Sequence, residues 1–108
     1  EALRGGLVRS VHAPDGLLAD ARAFAKDLTA DSAPVSVALT RNMMWRMMGA
    51  AHPMDAHRLD SRLIWSRGSS SDAGEGVSSF LEKRAAQYSD RVSQDAPHFS
   101  PWMDDPAW

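Results

Sequence analysis

Lys83 and Arg84 close a helix-forming run, Glu75 to Arg84, and are the side chains best suited to do chemistry in this sequence. A lysine ammonium on a flexible stem meets a phosphate without strict geometry. A helix C-terminus also favours cations, and from the residues alone the pair reads more readily as surface charge complementing the helix dipole. Other candidates form weaker patterns. His12, His52, His57 and His98 make no ligand set: His52 and His57 are five apart, whereas two imidazoles share a helical face at a spacing of three or four. No metal site is expected. No serine–histidine arrangement offers a nucleophile with its base. Gly5-Gly6 matches no phosphate-cradling loop.

Charge is unevenly spread around a formal net value of -2. Residues 33–71 hold five arginines against two aspartates, and residues 85–108 hold four aspartates against Arg91. A basic middle is suited to phosphates, but solvated arginines on amphipathic helices are the plainer reading. These scattered arginines come without interleaved aromatics in a sheet or groove, so no nucleic-acid partner is expected.

The elements that must position these residues follow from periodicity and punctuation. Leu7-Val8-Arg9-Ser10-Val11 alternates as a short strand would, though no second segment has a comparable signal to pair with it. Pro14 opens a helix with Asp15 in its first turn, and Leu17, Ala21, Phe24, Ala25 and Leu28 trace one face. Ser32-Ala33-Pro34 starts a second helix reaching Met48, with Val37, Thr40, Met44, Trp45 and Met48 as its apolar face. Pro53 opens a third, with Leu59, Leu63 and Ile64 on its buried side and Trp65 beside them; Gly68-Ser69-Ser70-Ser71 breaks it. The fourth runs from about Ala73 to Arg84. Asp72 and Glu75 make its capping box, and Val77, Phe80 and Leu81 its apolar stripe, with Phe80 in the core. The fold class is therefore mainly α: a small helical bundle of about four helices behind a short leading strand. The rest, with Pro97, Pro101, Pro106, Tyr88, Phe99, Trp102 and Trp108, is expected to lie as an extended strap on a neighbouring surface, disorder being the alternative.

A chain of 108 residues is one domain at most, and 44% hydrophobic content is ordinary for a globular protein. With no cysteine, disulfides and thiolate metal sites are excluded, which fits a reducing compartment, and a cytoplasmic location is expected. No apolar run approaches the ~20 residues of a membrane span, and the first residues show no charged-then-apolar pattern of a secretory signal.

Two strings carry a resemblance. Glu75-Gly76-Val77-Ser78-Ser79-Phe80-Leu81-Glu82-Lys83-Arg84 is similar to the "EGVxxFLEKR" closing helix of the crotonase family, the enoyl-CoA hydratases and isomerases. Glu1-Ala2-Leu3-Arg4-Gly5-Gly6-Leu7-Val8-Arg9-Ser10-Val11 resembles the "EAxxxGLVxxV" segment that follows the catalytic core there. Ala38 to Met44 is similar to the family's "AxxxTKxxL" helix, with Arg41 at the common lysine position. The resemblance implies that 1–84 is a crotonase C-terminal helical domain, with 1–13 as its leading strand segment, and 85–108 an extended Pro/Asp/aromatic tail.

It also implies the chemistry. Crotonases polarise an acyl-CoA thioester with two backbone N–H groups and stabilise the enolate that forms, while acidic side chains move protons. Those motifs lie upstream of the "EAxxxGLV" segment, and Glu1, Glu75 and Glu82 match none of the catalytic positions. The chain is thus expected to be the C-terminal piece of a longer enzyme, carrying no catalytic residue and inactive alone. The parent is expected to be an enoyl-CoA hydratase, a lyase of fatty-acid metabolism, with isomerase or another crotonase reaction as the alternative. Lys83 matches a lysine near the 3′-phosphate and adenine end of coenzyme A. Ile64 falls where some relatives stack an aromatic on adenine, so the stacking contact is in question here. Coenzyme A enters as part of the acyl-CoA substrate, and no tightly bound cofactor is implied. A homo-oligomer, trimer or hexamer, is implied for the full enzyme, and the exposed helices of the piece alone predict self-association. A different class of reading is a free-standing helical interaction module that binds through its methionine–tryptophan surface.

Overall fold

The computed structural model describes residues 1–98. The expected places of Phe99, Trp102 and Trp108 lie outside the described residues. The chain divides into two compact units, Glu1–Ala30 and Asp31–Trp108.

In the first unit, the segment expected to be a strand, Leu7 to Val11, pairs with nothing, and no strand occurs among the described residues. The physical reason is the missing ladder: an isolated extended segment leaves its backbone groups to water and gains nothing from alternation alone. The first residues instead coil into turns, with Gly5 N–H donating to the Glu1 carbonyl at 2.8 Å and Leu7 N–H to that of Ala2 at 2.9 Å. Gly6, at φ 75, takes the left-handed turn that glycine accepts most cheaply. Helix α1 spans Leu17–Thr29. It begins one turn later than Pro14 suggests, because Gly16 and Leu17 both donate to the Ala13 carbonyl at 3.0 Å and make a separate turn first. His12 is held by Asp20 Oδ2 at 2.6 Å, and the Arg9 guanidinium stands 4.3 Å over the Phe24 ring.

The second unit holds α2 (Pro34–Met47), α3 (Pro53–Gly68), α4 (Ser71–Glu82) and the short α5 (Val92–Asp95). Its core is small: Val35, Leu39 and Leu63 are buried, with Met43, Met47, Leu59 and Ala96 packed around them. Val35, Leu39, Met43 and Met47 follow at i, i+4, i+8 and i+12, so the working face of α2 is a different stripe from the expected one. Met44, Trp45 and Met48 are exposed, at 69%, 66% and 81%. On α3, Leu63 is buried as expected, but Ile64 is 64% exposed and Trp65 85%. Phe80 is 81% exposed, not a core residue, and Val77 and Leu81 of the same stripe are open too.

Helix α4 starts two residues before the expected point. Its cap is Ser70, whose Oγ accepts from Ala73 N–H at 3.2 Å. Asp72 and Glu75, expected to form the capping box, turn their carboxylates to the chain beyond the helix. Asp72 Oδ1 accepts from Ser89 N–H at 2.8 Å and Asp90 N–H at 3.0 Å. Glu75 Oε1 accepts from Gln87 N–H at 2.7 Å. Residues 85–91 therefore run without regular structure along α4, pinned through their amides by two acids of that helix.

Candidate functional site

Lys83 ends α4 in the left-handed conformation, φ 55 and ψ 41. Lys83 N–H donates to the Phe80 carbonyl at 3.3 Å, and Arg84 N–H to that of Ser79 at 3.1 Å. These are the two bonds of a Schellman closure, whose left-handed residue is usually glycine. A side chain there costs roughly 1–2 kcal/mol of local backbone strain. Lys83 is the one non-glycine residue with positive φ among the described residues.

Arg84 is spent differently. Its guanidinium reaches back along the helix to Glu75, with Nη1 to Oε1 at 2.5 Å and Nη2 to Oε2 at 2.9 Å, and Nε meets Glu82 Oε2 at 2.6 Å. The first contact is a two-toothed fork, the strongest geometry for an arginine–carboxylate pair. The Arg84 fork, helped by the Gln87 amide, holds the Glu75 carboxyl at about 2, well below its ordinary 4.5. Glu75 and then Glu82 in turn hold Arg84 protonated more firmly than usual. Because the Glu75 value is lowered, its contribution to stability is fully present above about pH 4.5 and is lost as pH falls toward 2. The Glu75 carboxyl, followed by NMR, is thus expected to titrate near pH 2, with Gln87 amide protection lost over the same range. A midpoint near 4.5 would mean the fork does not persist in solution.

Ile64 sits on α3 beside a groove of about 390 Å³ that it shares with Arg67, Asp72, Gly76 and Tyr88. It thus borders the first turns of α4. Lys83 caps the other end, seven residues beyond Gly76, or roughly 10 Å at the helical rise. The two residues belong to one unit, and Lys83 does not line the groove beside Ile64. Ile64 offers that groove an aliphatic edge and no stacking face.

The same groove holds Arg67, one arginine of the basic middle, and Asp72, expected as a helix cap. Arg67 pairs with Asp90 and donates from Nη1 to the Asp95 carbonyl at 2.9 Å. Asp72 is 2% exposed, and its Oδ2, like Arg67 Nε, is buried without a hydrogen-bond partner. Their signal was the charge asymmetry, an arginine-rich middle against an aspartate-rich end, which here closes partly on itself. His52 serves α3 as a cap, its Nδ1 accepting from Met54 N–H at 3.1 Å.

Compared with known proteins, residues 1–91 match the family model described as enoyl-CoA hydratase/isomerase. The chain is 34% identical over 94 residues to enoyl-CoA hydratase AFT3-1 of Alternaria alternata, covering 87% of this chain and 31% of that protein. It is 33% identical, with the same coverage, to enoyl-CoA hydratase ACTT3 of the same organism. The chain thus spans about a third of the length of the curated relatives it matches. A match over most of its length, running from the turns that open the chain through the closing helix and onto the pinned segment after it, makes this chain a member of the enoyl-CoA hydratase/isomerase family.

Proposed function

We propose that this chain is the C-terminal portion of an enoyl-CoA hydratase acting on 2-enoyl-CoA thioesters in fatty-acid metabolism. The observation that carries the reading is the family match over residues 1–91, joined by relatives named enoyl-CoA hydratase. The portion described here supplies the rim of the acyl-CoA pocket and packing surface between subunits, and the residues that perform the hydration lie in the remainder of the enzyme. Coenzyme A enters as part of the substrate, with no tightly bound cofactor. Among the described residues no helix is long and apolar enough to cross a membrane, and the reading places the enzyme in the cytoplasm. The open stripe Val77, Phe80, Leu81 and the exposed Met44, Trp45 and Met48 support a homo-oligomer, since apolar faces of this kind are normally covered.

Lys83 is the coenzyme A contact in this reading. Both carboxylates within reach of the helix end are taken by Arg84, which leaves the lysine charge available to a phosphate. The test has two parts. The full-length protein should hydrate a short 2-enoyl-CoA, seen as loss of the conjugated thioester absorbance, and the 108-residue chain alone should not. Double-bond migration without hydration would favour an isomerase instead. Lys83→Gly removes the ammonium while relieving the left-handed strain. Coenzyme A affinity should fall roughly two- to tenfold, the range of one exposed charge-assisted contact, with the thermal midpoint held or raised. Unchanged affinity at low salt would reject the phosphate role.

A further inference from the structure

We infer that Glu75 and Arg84 are positioning residues that present Lys83 to the phosphate end of coenzyme A, an inference that rests on the role proposed above for Lys83. Two observations support it. The first is the backbone. Lys83 occupies a left-handed position that a glycine fills at lower cost, and the residue next to it, just past the helix end, is tied down by a fork onto Glu75, nine positions earlier within α4. The fork fixes the direction of the chain immediately after Lys83, and with it the direction in which the lysine stem leaves the helix end. Strain retained at an exposed side chain is a signature of a functional constraint. The second observation is the charge pattern. Glu75 and Glu82 are the acids near this end, and Arg84 occupies both. Released from Arg84, either carboxylate becomes a competitor for the Lys83 ammonium. Arg84 therefore keeps the turn in place and also shields Lys83 from self-neutralisation.

The inference makes a prediction whose sign differs from that of simple electrostatics. Glu75→Ala deletes a negative charge beside the site, so charge alone would strengthen the binding of a phosphate. Positioning predicts the reverse, because Arg84 loses its fork and the turn loosens. The experiment is calorimetric titration of the full-length protein with coenzyme A and with dephospho-coenzyme A, which lacks the 3′-phosphate. The ratio of the two dissociation constants isolates the phosphate contact from any general loss of fold. Glu75→Ala and Arg84→Gln are each expected to reduce that ratio roughly threefold. The Arg84→Gln/Lys83→Gly double variant should fall no further than Lys83→Gly alone, since both act through one ammonium. Glu75→Asp, which keeps the charge but shortens the reach, should recover part of the preference.

If Lys83→Gly lowers the ratio and neither Glu75→Ala nor Arg84→Gln does, the positioning role is overturned and the Lys83 contact stands. If the Lys83 and Arg84 losses multiply in the double variant, Arg84 touches the phosphate itself and the positioning role is again overturned. If Lys83→Gly leaves the ratio unchanged, the Lys83 reading fails and takes this one with it. Should Glu75→Ala not fold, Glu75→Gln keeps the side-chain shape and the Gln87 contact while removing the charge, and the same ratio decides.

Discussion

Truncating Leu63 to alanine is expected to cost about 2–4 kcal/mol of stability in the second unit. Leu63 is 5% exposed and is the only buried residue of α3, where it meets Val35 and Leu39 of α2. Removing its terminal isopropyl group forfeits the transfer free energy of the three lost carbons and leaves a void that Leu59, Met43 and Met47 can fill only in part. The loss is large relative to the total. A small domain retains about 5 kcal/mol of net stability, and this core has three buried apolar residues among those described. Urea denaturation followed by far-UV circular dichroism should show a lower midpoint with an unchanged slope. Trp65→Ala is the matched control. It lies on the same helix and is larger, but at 85% exposure it should shift stability by less than about 0.5 kcal/mol. Equal losses for the two variants would mean that the open face of α3 is packed in solution and that the core extends beyond these residues.

The contrast between Leu63 and Trp65 also marks what the sequence could reveal. Helix starts were legible because Pro34 and Pro53 fix φ at the first helical turn, and both helices begin at those residues. The buried face of α2 was not legible, because two stripes compete. Methionine pairs 43–44 and 47–48 put one apolar residue into each stripe, and local periodicity has no way to rank them. Non-local contact decides: Leu59 and Leu63 from α3, and Ala96 from beyond α5, cover the Val35–Leu39–Met43–Met47 stripe. The cap of α4 was ambiguous for a similar reason. Ser69, Ser70, Ser71 and Asp72 are four consecutive residues able to accept from a first-turn amide. Asp72 is taken by the amides of residues 89 and 90, so Ser70 becomes the cap. At the candidate site, Lys83 at the C-terminal end of the closing helix was readable from the motif. Its left-handed backbone was not, since lysine is an uncommon choice there, and the Glu75–Arg84 fork spans nine residues with the helix between them.

Removing the Arg67 side chain is expected to be about as damaging as opening the core, at about 3 kcal/mol, although the change lies in a polar contact. The side chains of Arg67 and Asp90 are 15% and 9% exposed. With alanine at 67, the Asp90 carboxylate stays largely out of water without its partner, and the Asp95 carbonyl loses its donor. The cost is mainly that of an uncompensated buried charge, because an intact pair of this kind contributes little beyond its own desolvation. The distinction can be tested. Arg67→Met with Asp90→Leu removes both charges and keeps apolar volume, so the double variant should recover most of the stability lost by Arg67→Met alone, with a coupling above about 1 kcal/mol. The damage should also be local. Hydrogen exchange at the Ser89 and Asp90 amides, which Asp72 accepts, should accelerate in the single variant before exchange in α2 does. If single and double variants lose stability additively while those two amides stay protected, Asp72 and Glu75 hold the segment to α4 without help from Arg67. Arg67 would then be a solvated arginine of the basic middle, the plainer of the two readings its sequence context allows.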